Sequence, residues 1–151
     1  MESFRVQLWN RTNRIRSALV HLTEPFLHGL GLTPMQAMVL YAVQNQENAN
    51  VGSLCTLLEC AQGNMSNLCK RLEKDGFLSR RRSLSDERVV LLSLTPKGLD
   101  AISRINSGLA DADRYVDAQP PQRLQKILDG FDELEQLISS ISAAGGNKDN
   151  A

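Results

Sequence analysis

The chain has 151 residues, of which 42% are hydrophobic, 5% aromatic and 23% charged. This length suits one globular domain with its own core and leaves little room for two. Its 17 basic and 17 acidic residues cancel, and no segment is apolar enough for a signal peptide or a membrane span. A cytoplasmic protein with no membrane partner is therefore expected, with its three cysteines present as reduced thiols.

The charges are distributed unevenly along the chain. Eight basic and four acidic residues lie between Lys70 and Lys97, whereas the part before this segment is neutral and the part after it is acidic. A polyanion would be attracted to this basic segment. A charge run of this kind is also typical of a solvated surface, so the pattern becomes informative only with its structural context.

The first element in chain order is a long helix. Apolar residues recur at spacings of three and four from Phe4 to Leu30, which predicts an amphipathic helix over about residues 3–30. Gly29 and Gly31 are expected to end it. The apolar stripe is longer than a small core needs, which favours packing of this helix against a second copy of the chain.

Three shorter helices are predicted next. Thr33, Pro34 and Gln36 have the spacing of an N-cap, a first-turn proline and a capping-box partner, so they begin the helix that contains "MQAMVLYAVQNQ". "VGSLCTLLEC" and "AQGNMSNLCKRLEKDG" follow as two short helices, and Gly76 stops the second one. Ala61 precedes that second helix and has no side-chain acceptor, so its first turn is predicted to lack a cap, a loss of about 1 kcal/mol.

After these helices the pattern becomes strand-like. "FLSRR" and "VVLLSL" are β-type runs on either side of the charged loop "RSLSDER", which predicts a hairpin. Thr95 and Pro96 begin another helix, prolines at 120 and 121 end it, and a last helix carries an apolar stripe from Leu124 to Ile141. The composition of residues 144–151 predicts a disordered tail.

Three short helices followed by a basic hairpin form the arrangement of a winged helix-turn-helix. The stretch "RLEKDGFLSRRRSLSDERVVLLSLTPKG" resembles, without a gap, the wing of the multiple antibiotic resistance regulator (MarR) family. The matching positions are a leucine and a glutamate before a glycine, Arg80, the Asp-x-Arg of Asp86 and Arg88, and the "LT..G" of Leu94, Thr95 and Gly98.

The resemblance covers nearly the whole chain and implies a mainly α fold with a small β-hairpin wing (α+β). It implies a single domain over 1–143, in which a winged helix-turn-helix core at about 33–98 lies between dimerisation helices at about 3–30 and 99–143. The implied function is that of a transcriptional repressor that binds double-stranded DNA as a homodimer on a pseudo-palindromic operator and is released by a small phenolic or aromatic ligand.

The chemistry of the residues agrees with this implication. Amide and hydroxyl side chains on the predicted recognition helix can read base edges, and cations beside them can contact phosphates. In the resembled family the wing arginine enters the minor groove, a role that falls to Arg88 with Asp86 as its brace. The predicted DNA-binding residues are Gln62, Asn64, Ser66 and Asn67 for bases, Lys70, Arg71, Arg80, Arg81 and Arg82 for phosphates, and Asp86 and Arg88 in the wing.

The resemblance also implies an effector site between the dimerisation helices and the winged module. Its candidate residues combine apolar or aromatic bulk with an occasional cation, and they are Trp9, Arg16, His28, Met38 and Tyr41. A redox-sensing regulator of the same fold is an alternative, in which Cys69 next to Lys70 and Arg71 would have a lowered pKa while Cys55 and Cys60 occupy apolar helix positions.

Other functions have less support in the sequence. His21, Glu24 and His28 would share one helix face, as a metal site requires, but Pro25 is predicted to interrupt that helix. A winged-helix protein-interaction module is the other alternative, although such modules lack a basic wing with Asp-x-Arg. No phosphate loop, zincin motif or nucleophile with an evident base is present, so neither an enzyme nor a cofactor is expected.

Overall fold

In a computed structural model of the protein, residues 2–83 and 88–145 are described. The elements in chain order are α1 (Phe4–His28), α2 (Pro34–Gln44), α3 (Val51–Leu57), α4 (Gln62–Lys74), β1 (Leu78–Arg82), β2 (Val90–Leu94), α5 (Pro96–Asp117) and α6 (Pro121–Gly145). The predicted class, mainly α with a small β-hairpin, is confirmed.

The chain divides into two compact units, Met1–Leu109 and Ala110–Ala151. The sequence analysis predicts a single domain over 1–143. The first unit holds α1 to α4, the hairpin and the start of α5, and the second holds the rest of α5 and all of α6. α6 continues two residues beyond the predicted boundary at 143. The remainder of the predicted tail lies outside the described residues.

α1 is one continuous helix of 25 residues. It ends where Gly31 takes a φ of +66°, a conformation that glycine adopts without strain, and the N–H of Leu32 donates to the carbonyl oxygen of Leu27 at 3.1 Å. The prediction that Pro25 interrupts this helix is wrong, because Pro25 lies inside its last turns. A proline there removes a single helical hydrogen bond, which the rest of a long helix tolerates.

Side-chain caps set the starts of the next helices. The Thr33 hydroxyl accepts from the Gln36 N–H at 3.3 Å and the Gln36 side chain accepts from the Thr33 N–H at 2.8 Å, which confirms the predicted capping box of α2. Asn50 and Ser53 form a second capping box at α3 that the sequence analysis missed. Ala61 makes no side-chain cap at α4, as predicted.

The hairpin follows α4 directly. Gly76, with a φ of +81°, ends α4 and turns the chain into β1. β1 and β2 pair antiparallel, with Leu78 opposite Leu94 and Arg82 opposite Val90. The Leu92 N–H also donates to the carbonyl oxygen of Ala49 at 2.8 Å, so the chain just before α3 joins the edge of the hairpin. These bonds tie the wing to the helix-turn-helix.

The start of α5 closes the winged module. The Thr95 hydroxyl accepts from the N–H of Gly98 at 3.1 Å and lies 2.6 Å from the carbonyl oxygen of Gly76, to which it donates. Gly98 packs directly on the backbone of Phe77: a Cβ added to it would lie 2.3 Å from the Phe77 carbonyl oxygen. The turn after α4 and the first turn of α5 therefore form one unit.

The apolar core lies inside the winged module. Its fully buried large side chains come from α2, α3, α4 and α5, and include Leu40, Leu54, Met65, Leu72 and Ile102. Burial of this apolar surface holds α4 against the other helices. None of the helices in the described part of the chain is long and apolar enough to cross a membrane.

Candidate nucleic-acid interface

An exposed polar surface runs along α4. Met65, Cys69 and Leu72 anchor the helix in the core, and their spacing of three and four leaves the opposite side free. The predicted contact residues on that free side are exposed, with Ser66 half-buried, and they are Gln62, Asn64, Ser66, Asn67, Lys70 and Arg71. All six predicted residues of this helix are therefore at least partly accessible to solvent.

These residues face in two directions. With 100° between successive residues, Gln62, Ser66 and Lys70 lean toward one edge of the helix, the edge that also carries Glu73 and faces the wing. Asn64 and Arg71 lean toward the opposite edge, where they line a cleft beside α2. Asn67 lies between the two sets and points most directly away from the core.

The wing adds cations next to this helix. Arg81 and Arg82 are exposed on β1, and Arg88 is exposed in the turn before β2. These three guanidinium groups extend the positive surface from the helix to the hairpin. Asp86, the predicted brace of Arg88, lies outside the described residues.

Arg80 differs from its neighbours, and its predicted role as a phosphate contact is not supported by its position. It alternates with the exposed Arg81 along β1, so its side chain turns inward and is only 22% exposed. Its Nε lies 2.9 Å from Glu73 Oε2 of α4, and its Nη2 is buried with no hydrogen-bonding partner among the described residues. Arg80 thus joins the wing to the recognition helix.

Lys97 is a second cation of the basic segment with an internal role. Its Nζ donates to the carbonyl oxygen of Asp75 at 2.6 Å and lies 4.3 Å from the centroid of the Phe77 ring. The positive potential that a ligand would meet therefore comes from the other cations of the segment, namely Lys70, Arg71, Lys74, Arg81, Arg82 and Arg88.

The three cysteines do not form a reactive centre of the predicted kind. Cys69 is fully buried, and burial raises the pKa of its thiol, while the nearby Arg80 lowers it to a smaller extent. The prediction that Lys70 and Arg71 lower this pKa is wrong, because both side chains point away from the core that surrounds the thiol. Cys55 and Cys60 are half-buried free thiols.

A largely apolar cavity of about 420 Å³ lies within the first unit, between α1, α2 and the start of α5. Arg16, Met38 and Tyr41 line it, as the sequence predicts for an effector site. Trp9 and His28 do not: Trp9 is nearer the N-terminus than any lining residue, and His28 points about 100° away from Leu27, which does line the cavity. Trp9 and His28 are therefore not retained as candidate effector-site residues.

The histidines of α1 show no metal-binding arrangement. His21 Nδ1 lies 2.7 Å from the carbonyl oxygen of Ser17, so this nitrogen is engaged by the helix itself. Within residues 2–83 and 88–145, no group of three His, Cys, Asp or Glu side chains could hold a metal ion. This includes the predicted trio of His21, Glu24 and His28.

Sequence comparisons place these features in a known group of proteins. The model of the family described as Transcriptional regulator SarA/Rot matches residues 21–105. The HTH-type transcriptional regulator SarZ of Staphylococcus haemolyticus is 36% identical over 69 residues, 46% of this chain and 47% of that protein. SarZ of Staphylococcus saprophyticus is 27% identical over 114 residues, 76% of this chain and 75% of that protein. The first of these matches thus spans about half the length of the relative.

Solved structures share the fold across most of the chain. A MarR family transcriptional regulator of Streptomyces coelicolor, AbsC, superimposes with a TM-score of 0.75 at 19% identity, covering 93% of this chain and 97% of that one. Staphylococcus aureus MarR in complex with salicylate and kanamycin gives 0.74 at 16%, with 90% and 93% covered. Reduced AbfR bound to DNA gives 0.71 at 22%, with 91% and 93% covered.

Proposed function

This chain belongs to the SarA/Rot family of transcriptional regulators, with the winged-helix fold of MarR regulators, and on that premise we propose that it binds specific double-stranded DNA sequences as a homodimer. Members of this family are regulators of transcription and not enzymes. The site of action would be the cytoplasm, where bacterial DNA is found, and the effect on transcription would be repression.

One observation carries the proposal: the exposed polar side of α4 continues into the exposed arginines of the wing. A helix of 13 residues fits the major groove, where Asn67 can form paired hydrogen bonds with a base edge. Arg81 and Arg82 would contact phosphates on either side of the groove. The DNA-bound AbfR structure, which has the same fold, supports this arrangement.

Arg88 has a separate proposed role at the tip of the wing. It is exposed and precedes β2, so an antiparallel hairpin can carry it away from α4 and toward the neighbouring minor groove. A narrow A·T-rich minor groove concentrates negative potential and attracts a guanidinium group. We propose that Asp86 holds Arg88 in the orientation for insertion, in line with the resemblance noted in the sequence.

The homodimer would form through the long helices outside the winged module. α6 has large apolar side chains on one side along most of its 25 residues, and Leu128, Phe131 and Ile138 are about half exposed. α1 carries a similar exposed set that includes Phe4, Ile15 and Leu19. A second copy that covers these stripes would give a dimer whose two recognition helices are related by a two-fold axis, with half-sites about 10 base pairs apart.

The cavity beside α1 is the proposed effector site. Its wall is mostly apolar, Arg16 is the one cation among its described lining residues, and the Tyr41 hydroxyl donates to Asn106 Oδ1 at 2.5 Å. A flat aromatic monoanion matches this combination of apolar surface and a single positive charge. The salicylate complex of S. aureus MarR supports a phenolic ligand. Burial raises the pKa of the Cys69 thiol, which disfavours the thiolate that oxidants attack at this one of the three cysteines.

Asn67→Ala tests base reading by α4. We expect this variant to lose about 1–3 kcal/mol of binding free energy on a duplex selected from a random-sequence library, and far less on a shuffled duplex of the same composition. The reason is that a side-chain amide contributes to sequence preference only through base edges. Fluorescence anisotropy with both duplexes measures the difference, and equal losses on the two would show that Asn67 does not read bases.

A further inference from the structure

A polar cleft of about 360 Å³ separates the start of α2 from the recognition helix. Thr33 and Gln36 of α2 form one wall, and Asn64, Asn67 and Arg71 of α4 form the other, with Leu68 between them. The cleft lies apart from the effector cavity, with which it shares no lining residue. It opens on the same exposed side of the module as α4.

The α4 wall consists of side chains that the protein itself does not use. Asn64, Asn67 and Arg71 follow one another at spacings of three and four, so they form one row on the helix surface. All three are exposed, and none has a side-chain hydrogen bond or ion pair within the described part of the chain. Arg80, by contrast, is already paired with Glu73.

The α2 wall is fixed by the capping box. The Gln36 side-chain oxygen accepts from the Thr33 N–H at 2.8 Å, which leaves the two amide hydrogens of the Gln36 side chain free to donate outward. The Thr33 hydroxyl oxygen accepts from the Gln36 N–H, which likewise leaves its hydrogen available. The cap thus leaves two neutral donors on the wall of the cleft that Arg71 also lines.

We infer that this cleft holds a phosphodiester group of the DNA backbone at the edge of the groove that α4 enters. A phosphodiester carries one negative charge and two free oxygens, which matches one guanidinium group surrounded by neutral donors. Asn64, which the sequence analysis assigned to base reading, then contacts backbone, whereas Asn67 at the outer edge of the cleft keeps its proposed contact with a base edge. Thr33 and Gln36, which it assigned only to capping, then contact DNA. This inference rests on the proposed function.

Gln36→Glu separates the capping role from the binding role. Glutamate at this position preserves a capping box and suits the start of a helix, so α2 should fold normally. The new carboxylate would face the phosphate and repel it. We expect the affinity for both the selected and the shuffled duplex to fall about tenfold or more, and the slope of log affinity against log salt to become shallower by about one unit.

Gln44→Glu is the matched control, because it adds the same charge at the exposed other end of α2, about 12 Å away along the helix axis. We expect it to lower affinity less than threefold. Arg71→Gln should reproduce the change in salt slope, and Gln36→Glu added to Arg71→Gln should then cost much less than it does alone. Thermal unfolding of each variant checks that the fold is kept.

Three outcomes would overturn the inference. The first is that Gln36→Glu and Gln44→Glu have the same effect, and the second is that Gln36→Glu weakens only the selected duplex. The third is saturable binding of inorganic phosphate to the DNA-free protein that Gln36→Glu abolishes while the affinity for duplex DNA is unchanged, which would make the cleft a free-anion site. A wild-type protein that binds no duplex would instead contradict the proposed function itself.

Discussion

Replacing Gly98 by alanine should lower the free energy of unfolding by about 3 kcal/mol. The added methyl group would lie 2.3 Å from the carbonyl oxygen of Phe77 and 3.1 Å from Leu94 Cδ2. The first of these atoms belongs to the backbone, so no side-chain rotation can relieve the overlap. Either α5 moves away from the turn after α4, or the hydrogen bonds that the Thr95 hydroxyl donates to the carbonyl oxygens of Gly76 and Phe77 are lost.

Urea unfolding monitored by circular dichroism measures this change. Gly63→Ala is the control, because Gly63 lies in the first turn of α4 and an added Cβ there meets no atom within 4 Å. Alanine at that position should leave stability unchanged or raise it by about 1 kcal/mol, since it is the better helix former. A Gly98→Ala variant as stable as Gly63→Ala would show that the approach of α5 to Phe77 is not tight.

Phe131→Glu should raise the dissociation constant of the homodimer by about a thousandfold or more. A charge placed in an apolar interface without a partner costs roughly 3–5 kcal/mol, and two-fold symmetry makes the change occur twice in each dimer. Because each copy supplies one recognition helix, the variant should also lose its preference for a two-half-site duplex. Sedimentation at several protein concentrations measures the effect.

Gln136→Glu is the control for this substitution. Gln136 lies on the polar side of α6, well away from Phe131 around the helix axis, so the same charge there should leave the dimer intact. If Phe131→Glu sediments like the wild-type protein at all concentrations, the stripe on α6 is not the dimer contact. If both variants dissociate, net charge rather than apolar burial determines the assembly.

Short-range signals were sufficient to predict most of the fold. The capping box of Thr33 and Gln36, the stop at Gly76 and the prolines that begin helices each act within one turn of the chain, so the sequence contains all the groups involved. The hairpin was predictable because its two apolar runs flank a charged loop. The same reasoning correctly indicated that Ala61 leaves α4 without a side-chain cap.

What the sequence could not show depends on packing between distant segments. Three adjacent arginines appear equivalent in sequence, and only the strand register turns Arg80 inward to Glu73 while Arg81 points to solvent. Cys69 is beside two cations in sequence, yet its own side chain lies in the core, where burial raises the pKa of the thiol, and the side chains of both cations point away from that core. The cleft between α2 and α4 is likewise formed by residues about 30 positions apart.

The salt dependence of DNA binding tests the central claim most directly. We expect the wild-type protein to bind a selected duplex at least about a thousandfold more tightly than a shuffled one, with affinity for both falling steeply as salt rises. Arg81→Ala should make both salt slopes shallower by about one unit, whereas Arg80→Ala, which removes an internal ion pair, should leave them unchanged. Equal affinity for the two duplexes, with no dependence on salt, would contradict the assignment of α4 and the wing as a sequence-specific DNA-binding surface.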